Sequence, residues 1–154
     1  MFTRLLLILL LLAPPILAAE GGSRWSPDLD AALQTAGPEH KLVLVNFTGS
    51  GWSVWCNQLR DEILSKTHFL NFANKSLVLV ELNFPRQEPL SPEQAKQNAV
   101  WAQKYSVQNY PTILVLDAAG KELGRTGYMQ GGPKTFVREL KRIALKGPAP
   151  AGQK

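Results

Sequence analysis

The chain contains a single cysteine, Cys56, which follows Ser53 by three residues at the point where an apolar run gives way to helical periodicity. If Ser53 caps the helix, Cys56 is its third residue and feels the positive end of the helix dipole. A thiol placed there could form mixed disulfides with small thiols or with a partner. The simpler interpretation is a small buried residue at the helix base, because apolar shielding raises the pKa of a thiol and slows its attack. Both interpretations remain open.

Large aromatic residues accompany this motif. Trp52 and Trp55 flank Ser53, and Tyr110 opens a Tyr110-Pro111-Thr112 segment directly before another apolar run. Such rings could line an apolar docking groove, with Pro111 and Thr112 at its edge, or they could simply pack against neighbouring elements. The sequence does not distinguish between these two roles, groove lining and internal packing, for Trp52 and Trp55.

The cysteine and histidine content restricts the possible chemistry. One cysteine in 154 residues excludes an internal disulfide, a Cys-rich zinc site and an iron–sulfur cluster held by this chain alone. The two histidines, His40 and His68, are too few and too far apart to indicate a metal site. We therefore expect no metal and no cofactor.

The elements that must position these residues alternate between helical and strand patterns. Ser26-Pro27 is expected to cap the first helix, and Ser91-Pro92 to begin the third long one. The order predicts an α/β fold with a central mixed sheet of about four strands flanked by helices, closed by an antiparallel hairpin. The predicted elements are helix 27–36, strand 41–47, helix 53–64, helix 67–72, strand 77–82, helix 92–105, strands 112–116 and 121–126, and a helix that begins near 133.

The first 19 residues predict a secretory signal peptide. Arg4 precedes fifteen uncharged, mostly apolar residues, and Leu17-Ala18-Ala19 before Glu20 is typical of a cleavage site. The run is short for a membrane span and is broken by Pro14-Pro15, although an uncleaved anchor is the alternative. We expect a domain over residues 20–146, a disordered tail over 147–154, and a periplasmic or secreted location, where disulfides persist.

The charge is concentrated near the end of the chain. Residues 121–154 carry eight basic and two acidic residues, a net charge of +6. This excess could bind acidic partners or anionic lipid, but the solvated face of a final helix explains it more simply. Without alternation of basic and aromatic residues, we expect no nucleic-acid binding. Because the leader is too short to span a bilayer, we expect no stable membrane span. We also expect a monomer.

Several separated motifs resemble the thioredoxin-like family, and in particular secreted bacterial thioredoxin-like proteins. The resemblance covers about residues 27–146 and includes the strand and helix around Trp52 to Cys56. The segments that carry it are Phe47 to Ser50, Asn83 to Arg86, Trp101 to Leu116 and Gly124 to Tyr128. It implies a thioredoxin-like fold and thiol–disulfide exchange: a first cysteine attacks a disulfide, a second resolves the mixed disulfide, and a cis-proline and a buried acid assist.

The sequence departs from that pattern at two positions. Ser53 stands in the place of the first cysteine, and a hydroxyl cannot exchange disulfides. Asn46 stands where the buried acid is usual, and an amide cannot carry protons near neutral pH. Cys56 matches the resolving cysteine, and Pro111 matches the cis-proline. The resemblance therefore implies the scaffold of an oxidoreductase without its dithiol couple.

Two functions follow from this combination. The first is a secreted thioredoxin-family protein, oxidoreductase-like, with a degenerate Ser-x-x-Cys motif and at most residual monothiol exchange through Cys56 with small thiols. The alternative is a non-catalytic module that binds a protein or peptide in the groove beside Pro111. A covalent dimer through Cys56 is a third possibility, because an unpaired cysteine in a secreted protein can pair between chains.

Overall fold

The computed structural model describes residues 24–146, so the predicted leader over 1–19 and the predicted tail over 147–154 lie outside it. Its centre is a mixed five-stranded sheet in the order β1-β3-β2-β4-β5. β1 and β2 run parallel to β3, whereas β4 is antiparallel to β2 and to β5. The strands are β1 (Trp25–Ser26), β2 (Leu42–Thr48), β3 (Leu77–Asn83), β4 (Thr112–Leu116) and β5 (Glu122–Thr126).

Five helices flank this sheet, which confirms the predicted α/β class. They are α1 (Leu29–Ala36), α2 (Val54–Leu59), α3 (Thr67–Ser76), α4 (Pro92–Lys104) and α5 (Gly132–Lys146). A π-helical turn over Arg60–Leu64 continues α2. Within residues 24–146, no helix combines the length and apolar character needed to cross a membrane.

The beginning of the chain differs from the sequence expectation. The cap of α1 is Asp28, whose carboxylate accepts the N–H of Ala31, and not the predicted Ser26-Pro27 pair. Ser26 instead belongs to β1, a two-residue edge strand beside β3 that raises the strand count from about four to five. Such a short strand carries no alternation for a sequence pattern to detect.

The two faces of the sheet carry separate cores. Alternate residues of β2 point to opposite sides. Leu44 packs with Leu59 and Ile63 of α2 and its π turn, and with residues of α3 and α5. Val43, Val45 and Phe47 pack on the other side against α1 and α4. Burial on both faces explains why residues 41–47 form a nearly continuous apolar run.

Candidate functional site

Ser53 and Cys56 lie at the first turn of α2, directly after the loop that leaves β2. Ser53 is the N-cap, because its Oγ accepts the backbone N–H of Cys56 at 3.4 Å. Cys56 is only 4% exposed, and its Sγ accepts the N–H of Gly49 at 3.3 Å. The hydroxyl is thus used as a helix cap, and the thiol is enclosed beneath the loop.

Trp52 is held in place at the edge of this loop. Its Nε1–H donates to the carbonyl of Phe84 at 2.8 Å, and a Cβ at position 49 would lie 2.4 Å from its ring. Only glycine at position 49 leaves room for the indole. Trp52 meets Tyr110 edge to face at 6.1 Å, and Tyr110 stacks on Phe84 at 4.9 Å. The three rings form one cluster.

Tyr110 therefore lies beside the motif, with Pro111 next to it in the chain. The peptide bond between them is cis. Burial raises the pKa of the Tyr110 hydroxyl, and the nearby Cys56 adds to this rise. Thr112, half-buried, begins β4 and donates its hydroxyl to the carbonyl of Asn109 at 2.7 Å. The structure thus brings the two separated motifs together at one end of the sheet.

Val54 and Trp55, by contrast, project into solvent. They are 66% and 57% exposed, among the few large hydrophobic side chains of residues 24–146 that remain so. Trp55 rests against Tyr128 at 5.3 Å between ring centroids, and the Tyr128 hydroxyl donates to Glu62 at 2.7 Å. Trp55 thus belongs to a second aromatic pair, separate from the Trp52 cluster. Adjacent exposed hydrophobic residues mark a surface suited to contact with another molecule.

A carboxyl lies on the strand next to Asn46. Glu81 of β3 is the register partner of Asn46 in β2, so both side chains leave the same face of the sheet. That face is the one covered by α2, because Leu44 and Leu79, two residues earlier on each strand, share its core. Burial raises the pKa of Glu81, while a hydrogen bond with Asn46 and the charge of Arg60 lower it to a smaller extent.

Two side-chain amide oxygens, one on β2 and one on α2, are left without partners. Within the described residues, Asn46 Oδ1 and Gln58 Oε1 are buried and accept no hydrogen bond. A buried acceptor without a donor carries a desolvation cost of about 1–3 kcal/mol. Asn46 and Glu81 therefore form a polar pair on the face covered by α2, next to the apolar core that includes Leu44 and Leu79.

The motif loop is tied to the far side of the sheet. Asn98 of α4 is buried and donates to the carbonyl of Asn83 at the end of β3. The Asn83 side chain in turn accepts the N–H of Ser50 at 3.1 Å. The Asn98 amide oxygen accepts from Gln94. These hydrogen bonds fix the loop from a helix that does not otherwise contribute to the site.

The structure also identifies site residues that the sequence analysis did not select: Val54, Glu81, Phe84 and Arg86. The sequence could have indicated Glu81, because it is the one charged residue of an otherwise apolar run over 77–82. It could also have indicated Val54, an apolar residue on the outer side of the first helical turn. Phe84 and Arg86 belong to the Asn83 to Arg86 segment that carries the family resemblance, but no local pattern indicates their contacts with Trp52, which join loops more than thirty residues apart.

The fold and the two juxtaposed motifs define a class of protein. A family model described as a thioredoxin-like domain matches residues 29–144. The chain therefore belongs to the thioredoxin-like domain family.

Individual relatives agree with this assignment. The disulfide bond reductase DsbH of Chlamydia pneumoniae is 36% identical over 115 residues, which cover 75% of this chain and 69% of that protein. A solved structure of a DsbH oxidoreductase superposes with a TM-score of 0.75 at 33% identity, over 88% of this chain and 92% of that one. A thioredoxin from Thermus thermophilus, at 23% identity and a TM-score of 0.60 over 82% of this chain and 91% of its own, shares the fold.

Proposed function

We propose that this protein binds an extended segment of a partner protein, without forming a covalent bond, at the surface formed by Trp52, Val54, Trp55 and Tyr110-Pro111-Thr112. The observation that carries the proposal is a contrast in exposure. Cys56 is enclosed and Ser53 caps a helix, whereas Val54 and Trp55 between them face solvent. Large exposed aromatic side chains are the usual anchors of a protein interface.

A selection from a random twelve-residue peptide display library, carried out with reductant present, tests this function. We expect bound peptides to lose about tenfold or more in affinity on Trp55→Ala, because an aromatic anchor contributes roughly 2 kcal/mol or more at an interface. Binding to Cys56→Ala should match the unmodified protein. Leu145→Ala is the matched control, since Leu145 is another exposed hydrophobic residue, on α5. Failure to select any peptide would refute the proposal.

Residual monothiol exchange through Cys56 is the second candidate. It is supported by the retained cysteine and by similarity to a protein named a disulfide bond reductase. The buried position of the thiol opposes it. The test is the rate of glutathione exchange and of alkylation by iodoacetamide, with Cys56→Ala as control. Alkylation of the native protein as fast as that of the unfolded chain, together with Cys56-dependent exchange, would favour this function over peptide binding.

We further propose that the domain over residues 20–146 acts outside the cytoplasm as a monomer, after cleavage between residues 19 and 20. The apolar leader supports export. The buried Cys56 supports the monomer, because an enclosed thiol is poorly placed to pair with a second copy. Expression of the full chain in a Gram-negative host, followed by N-terminal sequencing of periplasmic protein and non-reducing electrophoresis, tests both. Retention of Met1 or a reductant-sensitive dimer would contradict them.

A further inference from the structure

A cavity lies beside the motif, lined in part by Trp52 and by Arg60 at the end of the motif helix. Its volume is about 550 Å3, and it opens between the motif loop and the loop that follows β3. The residues that matter for its chemistry are Trp52, Arg60, Asn83, Arg86, Gln87 and Glu88. Trp52 also contacts Tyr110, so the cavity adjoins the proposed peptide surface.

Two guanidinium groups line this cavity. Arg86 lies over the Trp52 ring at 3.8 Å from its centroid, a contact that holds the cation at the cavity wall. Among residues 24–146, no carboxylate pairs with Arg86, whereas Arg60 is paired with Asp61 at 2.7 Å. Arg86 therefore offers an uncompensated positive charge and a planar set of donors suited to a carboxylate.

A neutral donor accompanies that charge. The Asn83 side chain accepts the Ser50 N–H through its Oδ1, and no hydrogen bond among the described residues uses its Nδ2 group. Gln87 adds a second amide to the lining. Glu88 is the only carboxylate in the lining, and it forms no ion pair with either arginine. The polar groups thus favour an anion over a cation, with Glu88 opposing it in part.

From this arrangement we infer that the cavity is a subsite for an aspartate or glutamate side chain of the bound partner segment. The inference rests on the proposed peptide-binding function and specifies the partner's chemistry. A segment that crosses Trp52 would place one residue against Tyr110 and a neighbouring one against Arg86. The acidic side chain would accept hydrogen bonds from the Arg86 guanidinium and from Asn83 Nδ2.

The test uses a peptide selected from the random library and a derivative in which its Asp and Glu residues are replaced by Asn and Gln. We expect selected peptides to be enriched in acidic residues and the derivative to bind about three- to tenfold more weakly. Arg86→Gln should weaken the acidic peptide by a similar factor and leave the amide derivative within about twofold. Arg138→Gln, an exposed arginine of α5, removes the same charge elsewhere and should change neither.

Glu88→Gln tests the same assignment in the opposite direction. Removing the opposing carboxylate should tighten binding of the acidic peptide about two- to threefold. Selected peptides that lack acidic enrichment, or an acidic peptide that binds Arg86→Gln and Arg138→Gln equally, would overturn the subsite while leaving peptide binding intact. A library that yields no peptide would overturn both.

A carboxylate could also come from a small acid. S-methylglutathione carries two carboxylates and no free thiol, so its binding reports on the cavity without any disulfide chemistry. We expect it to compete with the acidic peptide only at concentrations far above the dissociation constant of the peptide. Binding tighter than that of the peptide, and lost in Arg86→Gln, would assign the cavity to a small acid and refute the peptide subsite.

Discussion

The centre of the motif differs from the surface that surrounds it, which we call the rim. The centre holds Ser53 as a helix cap, Cys56 as an enclosed thiol, and Asn46 beside the carboxyl of Glu81 on the neighbouring strand. The rim holds exposed Val54 and Trp55, the Trp52 cluster and the free charge of Arg86. The one cysteine of the chain is shielded from solvent, while two hydrophobic side chains next to it are exposed. The chain therefore combines a thioredoxin-like fold with a buried thiol at the centre of the motif and exposed apolar side chains around it.

The most demanding test of this contrast is to restore the centre. Ser53→Cys supplies the absent sulfur at the start of α2, where the helix dipole favours its thiolate. We expect insulin reduction to rise from background by about a hundredfold or more, because two cysteines can complete an exchange cycle that one cannot. Turbidity of reduced insulin measures this rate.

The double variant Ser53→Cys, Cys56→Ala is the control and should remain near background in multiple-turnover assays. Peptide affinity should stay within about twofold of the unmodified protein in both variants, since the rim is unchanged. A single variant with no gain in reduction would show that more than one missing sulfur separates the centre from an active one.

Gly49→Ala disturbs the rim by adding a methyl group to the motif loop. The added methyl would lie 2.4 Å from the Trp52 ring, so the indole must leave its site against Phe84 and Tyr110. We expect a loss of about 1–3 kcal/mol in the free energy of unfolding, the usual cost of overpacking, together with weaker peptide binding. Chemical denaturation and tryptophan fluorescence measure the two effects.

Gly37→Ala is the matched control, because a Cβ there meets Ala118 at an ordinary 3.7 Å and the backbone is already helical. Because Gly37 precedes Pro38 with a helical backbone, the added Cβ carries a modest cost of its own, so we expect a smaller loss of stability than for Gly49→Ala and no change in peptide binding. Equal losses in both variants would mean that Trp52 is not held as tightly as its contacts indicate.

Glu81→Gln gives the smallest effect. It tests the polar pair of Asn46 and Glu81 on the face of the sheet covered by α2. Because the native pKa of Glu81 lies above its ordinary value of 4.5, the folded protein binds more protons than the unfolded chain between those two values. Stability attributable to this group therefore falls as pH rises through that window. The variant should lack this fall and be more stable above it, by less than about 1 kcal/mol because the carboxyl is partly exposed.

Urea denaturation at a series of pH values measures the difference. A Glu81→Gln curve parallel to that of the unmodified protein would show that the carboxyl titrates as it does in water.

Local patterns were sufficient to predict most elements of the fold and the position of the motif at the start of α2. The Ser53 cap follows from residue type and helical periodicity, and β2 and β3 follow from their apolar runs. The pairing of Asn46 with Glu81 and the stacking of Arg86 on Trp52 depend on strand register and on loops distant in sequence. No local pattern encodes such contacts, so the sequence could not predict them. The Asp28 cap was missed because Ser26-Pro27 offers an equally good local signal two residues earlier.

The hydrogen bonds from Asn98 through Asn83 to Ser50 have a consequence for association. They hold the loop beside Trp52 before any ligand arrives, so little conformational entropy is lost there when a complex forms. Each side chain that is already immobilised spares roughly 0.5–1.5 kcal/mol on association. Under the proposed function, a short linear epitope would need few direct contacts, and its residence time would depend on the rigidity of a helix on the other side of the sheet.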